Sequence, residues 1–100
     1  MIASMQVLGS TIYMSGEFSF DTMVDILPLW QGIQKINFEQ QEVIVHCEQI
    51  TKGDSCFFAL LVEMRRWAYQ KQYSWKLKKL PKTLEGFLSA YGITDLLTNS

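Results

Sequence analysis

The sequence predicts a single α/β domain in which four strands and three helices follow one another in the order ββαβαβα. Two observations predict this. Three segments repeat their apolar residues at helical spacing, and four shorter apolar segments, bounded by turn residues, have the pattern of strands. The length of 100 residues fits one small domain, residues 1–100. Strands that alternate with helices favour a mixed four-stranded sheet with parallel neighbours, with the helices packed against it.

The first half of the chain predicts two strands and a helix. Residues 5–8 and 11–14 are predicted as strands joined by a turn at Gly9 and Ser10. Asp21 is predicted to cap the helix that follows. Pro28 lies inside this helix and lacks a backbone donor, so a kink or an early break is expected there. The predicted buried stripe of the helix is Met23, Ile26, Leu27, Trp30 and Ile33.

After a polar connection at residues 37–41, residues 42–48 are predicted as the third strand, with Val43, Val45 and Cys47 on one face. A polar turn and a helix from Ser55 to about residue 72 come next. Residues 74–80 are predicted as the last strand, which ends at Pro81. A final helix capped by Thr83 and stopped by Gly92 closes the pattern. Its predicted stripe is Leu84, Phe87, Leu88 and Tyr91.

The start of the second helix has two interpretations. Asp54 or Ser55 caps the helix, or Ser55 is a regulatory or docking hydroxyl at the positive end of the helix dipole. The predicted buried stripe is Phe57, Leu60, Leu61, Met64, Trp67 and Ala68, and Phe58, Ala59 and Val62 lie outside it. This apolar excess predicts that a second element covers the helix or that the surface is a docking patch.

Composition and motifs exclude several classes of function. No stretch reaches the roughly 18 uninterrupted apolar residues of a membrane span, and residues 1–8 lack the pattern of a secretory signal. A cytoplasmic protein is therefore expected. Two cysteines without CxxC spacing and a single histidine argue against a disulfide framework or a zinc site. No metal ion and no cofactor are expected. The sequence has no Walker A loop, GxGxxG, HExxH or GxSxG motif, so no enzyme activity is predicted.

The charges are unevenly distributed. Acidic residues predominate up to Glu63, and basic residues predominate after it. Lys76, Lys78 and Lys79 therefore suggest a basic module that binds nucleic acid or anionic lipid. A solvated basic face is the commoner explanation of such charges, and nucleic acid is not an expected partner.

Two segments carry a resemblance to a known family. The strand that begins Val43-Ile-Val45, together with residues 51–61, Thr-Lys-Gly-Asp-Ser-Cys-Phe-Phe-Ala-Leu-Leu, resembles the signature of the STAS domain. Asp54 and Ser55 match it, Cys56 takes a position for a small residue, and Phe57 stands where the family usually has glycine. Residues 25–31, with Leu-Pro-Leu-Trp, are similar to the first helix of the STAS subunit of the Mla phospholipid ABC transporter. The resemblance runs from about residue 7 to residue 97.

The resemblance implies a STAS fold and a non-catalytic subunit. This subunit would bind the ATPase of a Mla-type transporter, peripheral to the inner membrane, and support its assembly or activity in outer-membrane lipid asymmetry. The implied partner-binding residues are Asp54, Ser55, Cys56, Phe57, Phe58, Val62 and Arg65. The alternative is an anti-sigma-factor antagonist in which a partner kinase phosphorylates Ser55. The ring of Phe57 is predicted to hinder that phosphorylation.

Overall fold

A computed structural model describes residues 2–93 and has the predicted order of elements, ββαβαβα. Two single turns of 3₁₀ helix, Phe20–Thr22 and Glu39–Gln41, precede the first helix and the third strand. The strands and helices are β1 Ser4–Leu8, β2 Thr11–Phe18, α1 Met23–Ile33, β3 Glu42–Gly53, α2 Ser55–Gln70, β4 Ser74–Lys78 and α3 Lys82–Ala90.

The four strands form one mixed sheet in the order β1-β2-β3-β4. β1 and β2 are antiparallel and meet at the Gly9-Ser10 turn, where Gly9 has a φ of 62°. β2, β3 and β4 are parallel neighbours. Because crossovers between parallel strands are right-handed, α1 and α2 lie on the same face of the sheet. The strand residues that point to this face are buried: Ile12, Met14, Val43, Val45, Cys47 and Trp75.

β3 is longer than predicted. The segment before Asp54, predicted as a polar turn, continues the strand to Gly53, because Ile50, Lys52 and Gly53 pair with the second half of β2. The register shifts along this pair, so Cys47 and Ile50 are both buried although three positions separate them.

α1 begins differently from the prediction. Asp21 is not its cap, because residues 20–22 form a 3₁₀ turn that leads into the helix. The Ser19 carbonyl accepts hydrogen bonds from the N–H groups of Thr22 and Met23, both at 3.1 Å. The Ser19 N–H in turn donates to Thr22 Oγ1 at 2.9 Å. The Ser19 carbonyl therefore serves as an acceptor for N–H groups at the start of the helix, which is the role that a capping Asp21 would have had.

The helix also continues past Pro28 to Ile33, so the expected early break is wrong. Burial of Ile26, Trp30 and Ile33 against the sheet outweighs the one helical hydrogen bond that proline removes. Leu27, predicted on the buried stripe, is 47% exposed.

α3 ends as predicted and starts differently. Thr83 is its second residue, and Pro81 precedes its first, so Thr83 is not the cap. Gly92 has a φ of 70°, and the Ile93 N–H donates to the Leu88 carbonyl at 2.8 Å, which is the expected glycine stop. Of the predicted stripe, Leu84 and Leu88 are buried, whereas Phe87 and Tyr91 are about half exposed, at 45% and 50%. The Asp-Leu-Leu segment at 95–97 lies outside the described residues.

Candidate partner-docking site

Asp54 is the cap of α2. One carboxylate oxygen accepts a hydrogen bond from the Cys56 N–H at 2.8 Å, and the other accepts one from the Phe20 N–H at 3.1 Å. The Asp54 N–H donates to the carbonyl of Phe18 at 3.3 Å. Asp54 therefore joins the end of β2 to the start of α2, and it fixes the position of the helix N-terminus relative to the sheet.

Ser55 is the first residue of α2 and is exposed. Within residues 2–93, its hydroxyl has no hydrogen-bond partner. Of the two candidate caps, Asp54 is therefore the residue that caps α2. The Ser55 hydroxyl is left facing solvent at the helix N-terminus.

Phe57 points into the core. Its side chain is fully buried, and its ring lies 5.8 Å from the ring of Phe18. A Cβ built on Gly53 would lie 2.7 Å from the Phe57 ring, so the absence of a side chain at Gly53 makes room for it. The ring therefore does not cover the Ser55 hydroxyl, and the predicted hindrance to phosphorylation has no structural basis.

Phe58 is buried as well, at 2% exposure. α3 covers it, with the rings of Phe87 and Tyr91 at 6.1 Å and 5.5 Å. The prediction of an exposed docking surface centred on Asp54, Ser55, Phe57 and Phe58 is therefore wrong at the two phenylalanines. The apolar excess of α2 had two explanations, coverage by a second element or a docking patch. At these two rings, coverage by a second element is correct. A Phe58→Asp substitution would consequently test the core and not the surface.

Apolar surface does remain exposed, on the other side of α2. A groove of about 270 Å³ lies between α1 and α2, and among residues 2–93 Glu63 is the one charged residue of its lining. It begins near the mouth of α2 at Cys56, which is half-buried. Leu27, the residue that departs from the predicted stripe, forms part of its other wall. The lining residues are Met23, Leu27, Trp30, Cys56, Ala59, Leu60 and Glu63.

The predicted site residues thus separate into two groups. Asp54, Ser55 and Cys56 lie at the mouth of α2 beside the groove. Val62, which is 40% exposed, and the half-buried Arg65 follow Phe58 by four and seven positions, so they lie on the side of α2 that α3 covers. Sequence reasoning missed the other lining residues of the groove as residues of this site: Met23, Leu27, Trp30, Ala59, Leu60 and Glu63. The helical spacing of Met23, Leu27, Trp30 and Leu60 indicates burial but not a groove between two helices.

The basic residues after Glu63 do not form one uniform patch. Lys76 lies 3.4 Å from Glu42 and forms an ion pair with it across β3 and β4. Lys78 and Lys79 are exposed beyond it. The sole histidine, His46, lies on the sheet face opposite the helices, with its ring 5.2 Å from that of Tyr13. The sole histidine therefore does not lie beside Ser55.

Burial raises the pKa of the Cys47 thiol to about 12, from an ordinary value of 9.0. Residues 2–93 hold no cluster of His, Cys, Asp and Glu side chains suited to a metal ion. Among the helices of this range, none is long and apolar enough to cross a membrane.

Comparison with known proteins gives a fold but no sequence family. No family model matches the chain, and no curated protein matches it. Among solved structures, the anti-sigma factor antagonist SpoIIAA in its unphosphorylated form is similar, with a TM-score of 0.56 and 16% sequence identity. The match covers 87% of this chain and 81% of that protein. The chain therefore has a STAS-like fold, which it shares with this anti-sigma factor antagonist.

Proposed function

We propose that this protein is a non-catalytic subunit that binds the ATPase of a Mla-type phospholipid ABC transporter and supports its assembly or activity. Three observations support the proposal: the resemblance of residues 25–31 and 51–61, the STAS-like fold, and the groove between α1 and α2. The groove carries the proposal, since a subunit without chemistry of its own needs a surface for its partner. The protein would then act in the cytoplasm, at the inner membrane, in lipid asymmetry.

The groove suits an apolar side chain from a partner protein. The lining that the structure describes is apolar apart from Glu63. Leu27, at 47% exposure, and Ala59 keep apolar surface in contact with water. Transfer of one large apolar side chain into such a groove contributes about 1.5–3 kcal/mol. A partner helix that lies between α1 and α2 is the arrangement that this shape favours.

Ser55 and Phe20 extend the surface at the mouth of α2. Phe20 is 77% exposed, although its backbone N–H is held by Asp54. An exposed aromatic ring beside a fixed helix N-terminus adds contact area at a rigid position, which is the kind of residue that anchors protein interfaces. The mouth and the groove together replace the predicted patch at Phe57 and Phe58.

Co-purification with the ATPase, expressed from the same genome, tests the proposal. Ala59→Arg places a long charged side chain in the groove at an exposed helical position, so we expect a folded protein that loses at least ten-fold in binding. Gln70→Arg introduces the same residue at an exposed position near the other end of α2 and should bind as wild type. Retention of wild-type affinity by a folded Ala59→Arg protein would refute the docking surface.

A second candidate function is favoured by the exposure of Ser55. The hydroxyl faces solvent at the N-terminus of a helix, where a phosphate is electrostatically stabilised. A kinase-regulated antagonist of an anti-sigma factor would present its serine in this way. Intact-mass measurement of protein from native cells distinguishes the two candidates. A stoichiometric phosphate that Ser55→Ala removes would favour the antagonist, and its absence favours the transporter subunit.

A further inference from the structure

The two edges of the sheet differ in how they are protected against pairing. Within residues 2–93, β1 and β4 are the edge strands, and no strand lies on the outer side of either. β4 carries Lys76 and Lys78, and Lys79 follows in a left-handed conformation with a φ of 61° before Pro81. Lysines, irregular backbone and proline are the features that keep an edge strand from pairing with another chain.

β1 has none of these features. Residues 1–16 contain no charged side chain, and no proline interrupts them. Ile2 and Leu8, on either side of the strand centre, are 82% and 73% exposed. An uncharged edge strand flanked by exposed apolar residues presents unpaired backbone N–H and C=O groups that favour the addition of a strand.

The sequence of β1 is suited to pairing with itself. In an antiparallel pair centred on Gln6, the Gln6 of each copy lies opposite the other, and Met5 lies opposite Val7 of the second copy. A glutamine amide both donates and accepts hydrogen bonds, so two facing amides satisfy each other. Met5 and Val7 point to the helix-covered face, where Met5 is buried and Val7 packs against the core. The apolar layer would then continue from one copy into the next.

We infer that β1 is a self-association site, at which a second copy of this chain adds its own β1 in antiparallel orientation. The result is a closed two-fold dimer with a continuous eight-stranded sheet, because each copy uses its one unprotected edge. Because β1 has no charged side chain, two copies of it can pair without facing like charges across the two-fold axis. This favours a second copy of the chain over a charged partner strand. The groove between α1 and α2 remains outside this contact, so the inference does not depend on the proposed function.

Sedimentation equilibrium of the full chain tests the inference. Wild-type protein should approach twice the chain mass of 11.6 kDa as its concentration rises to about 200 µM, a range in which weak strand pairing is populated. Gln6→Lys and Gln6→Glu, each alone, should remain at the monomer mass, because like charges then face each other across the axis. Gln6 is exposed, so both variants should fold. An equimolar mixture of the two should recover the doubled mass.

Lys78→Glu, on the opposite edge strand, is the matched control and should dimerise as wild type does. A second measurement needs no substitution: amide hydrogen exchange in β1 of the wild-type protein should slow as concentration rises, whereas exchange in β4 should not. A wild-type protein that stays monomeric, single Gln6 variants that still dimerise, a mixture that stays monomeric, or masses beyond twice that of the chain would each overturn the inference.

Discussion

The carboxylate of Asp54 accepts a hydrogen bond at 3.1 Å from the backbone N–H of Phe20, which precedes it by 34 residues. The same carboxylate caps α2 through the Cys56 N–H. One side chain therefore connects the turn that leads into α1 with the start of α2, the two helices that form the groove. The geometry of the candidate site depends on this residue more than on Ser55.

Replacement of Asp54 should therefore destabilise the protein far more than replacement of Ser55. We expect Asp54→Ala to lower the free energy of unfolding by about 1–3 kcal/mol, since it leaves two backbone donors without a partner. Ser55→Ala should change it by no more than about 0.5 kcal/mol, because the hydroxyl is exposed. Urea unfolding measures both. Equal losses for the two variants would show that the cap is assigned to the wrong residue.

Gly53 and Phe57 should be energetically coupled. A methyl group at Gly53 would meet the buried ring at 2.7 Å, so Gly53→Ala should cost about 1–3 kcal/mol. In a Phe57→Leu background the same substitution should cost at least about 1 kcal/mol less. A double-mutant cycle by chemical unfolding measures this coupling. Additive effects would mean that the Phe57 ring does not fill the space over Gly53.

The end of α2 offers a stabilising substitution. Gln72 has a φ of 63°, and the Tyr73 N–H donates to the Ala68 carbonyl at 2.9 Å, so glutamine occupies the position that glycine fills at the end of α3. Gln72→Gly should therefore raise the free energy of unfolding by about 1 kcal/mol. Gln70→Gly, at the last residue of the helix, where φ is not positive, is the control and should lower it by up to about 1 kcal/mol. A destabilised Gln72→Gly protein would argue against strain at this residue.

Cys47 should make stability depend on alkaline pH. The folded protein holds the pKa of this thiol at about 12, while the unfolded chain ionises it above the ordinary value of 9.0. The contribution of the neutral Cys47 thiol to the free energy of unfolding is therefore complete below pH 9, and it is lost as the pH rises toward 12. By about pH 10.5 the wild-type protein should lose about 2 kcal/mol more than Cys47→Ala does, each relative to its own value at about pH 8. Parallel stability profiles for the two proteins would contradict this.

The fold was predictable because each element carries its own local signal. The alternation of Val43, Val45 and Cys47 and the helical spacing of Leu60, Leu61 and Met64 depend only on which face is buried. The Gly92 stop is equally local, since a left-handed conformation favours glycine.

What could not be predicted depends on contacts between distant segments. The composition of residues 51–53 predicts a turn, yet Lys52 and Gly53 pair with β2. Phe38, in a segment predicted as a polar connection, is buried with its ring 5.6 Å from that of Trp67. Phe58 lies off the main stripe of α2, and only the position of α3 accounts for its burial. The docking patch was misplaced for the same reason, because the spacing along one helix does not show which other helix covers it.

The proposed binding of the ATPase at the groove can be measured through the reactivity of Cys56. Cys56 is half-buried in the groove lining, whereas Cys47 is fully buried and serves as an internal control. The measurement is the rate of Cys56 alkylation by a maleimide in the native protein, with and without saturating ATPase. We predict that the ATPase slows alkylation of Cys56 at least ten-fold, while Cys47 remains unmodified in both conditions. An unchanged rate at Cys56 in a complex that has demonstrably formed would contradict binding of the ATPase at the groove.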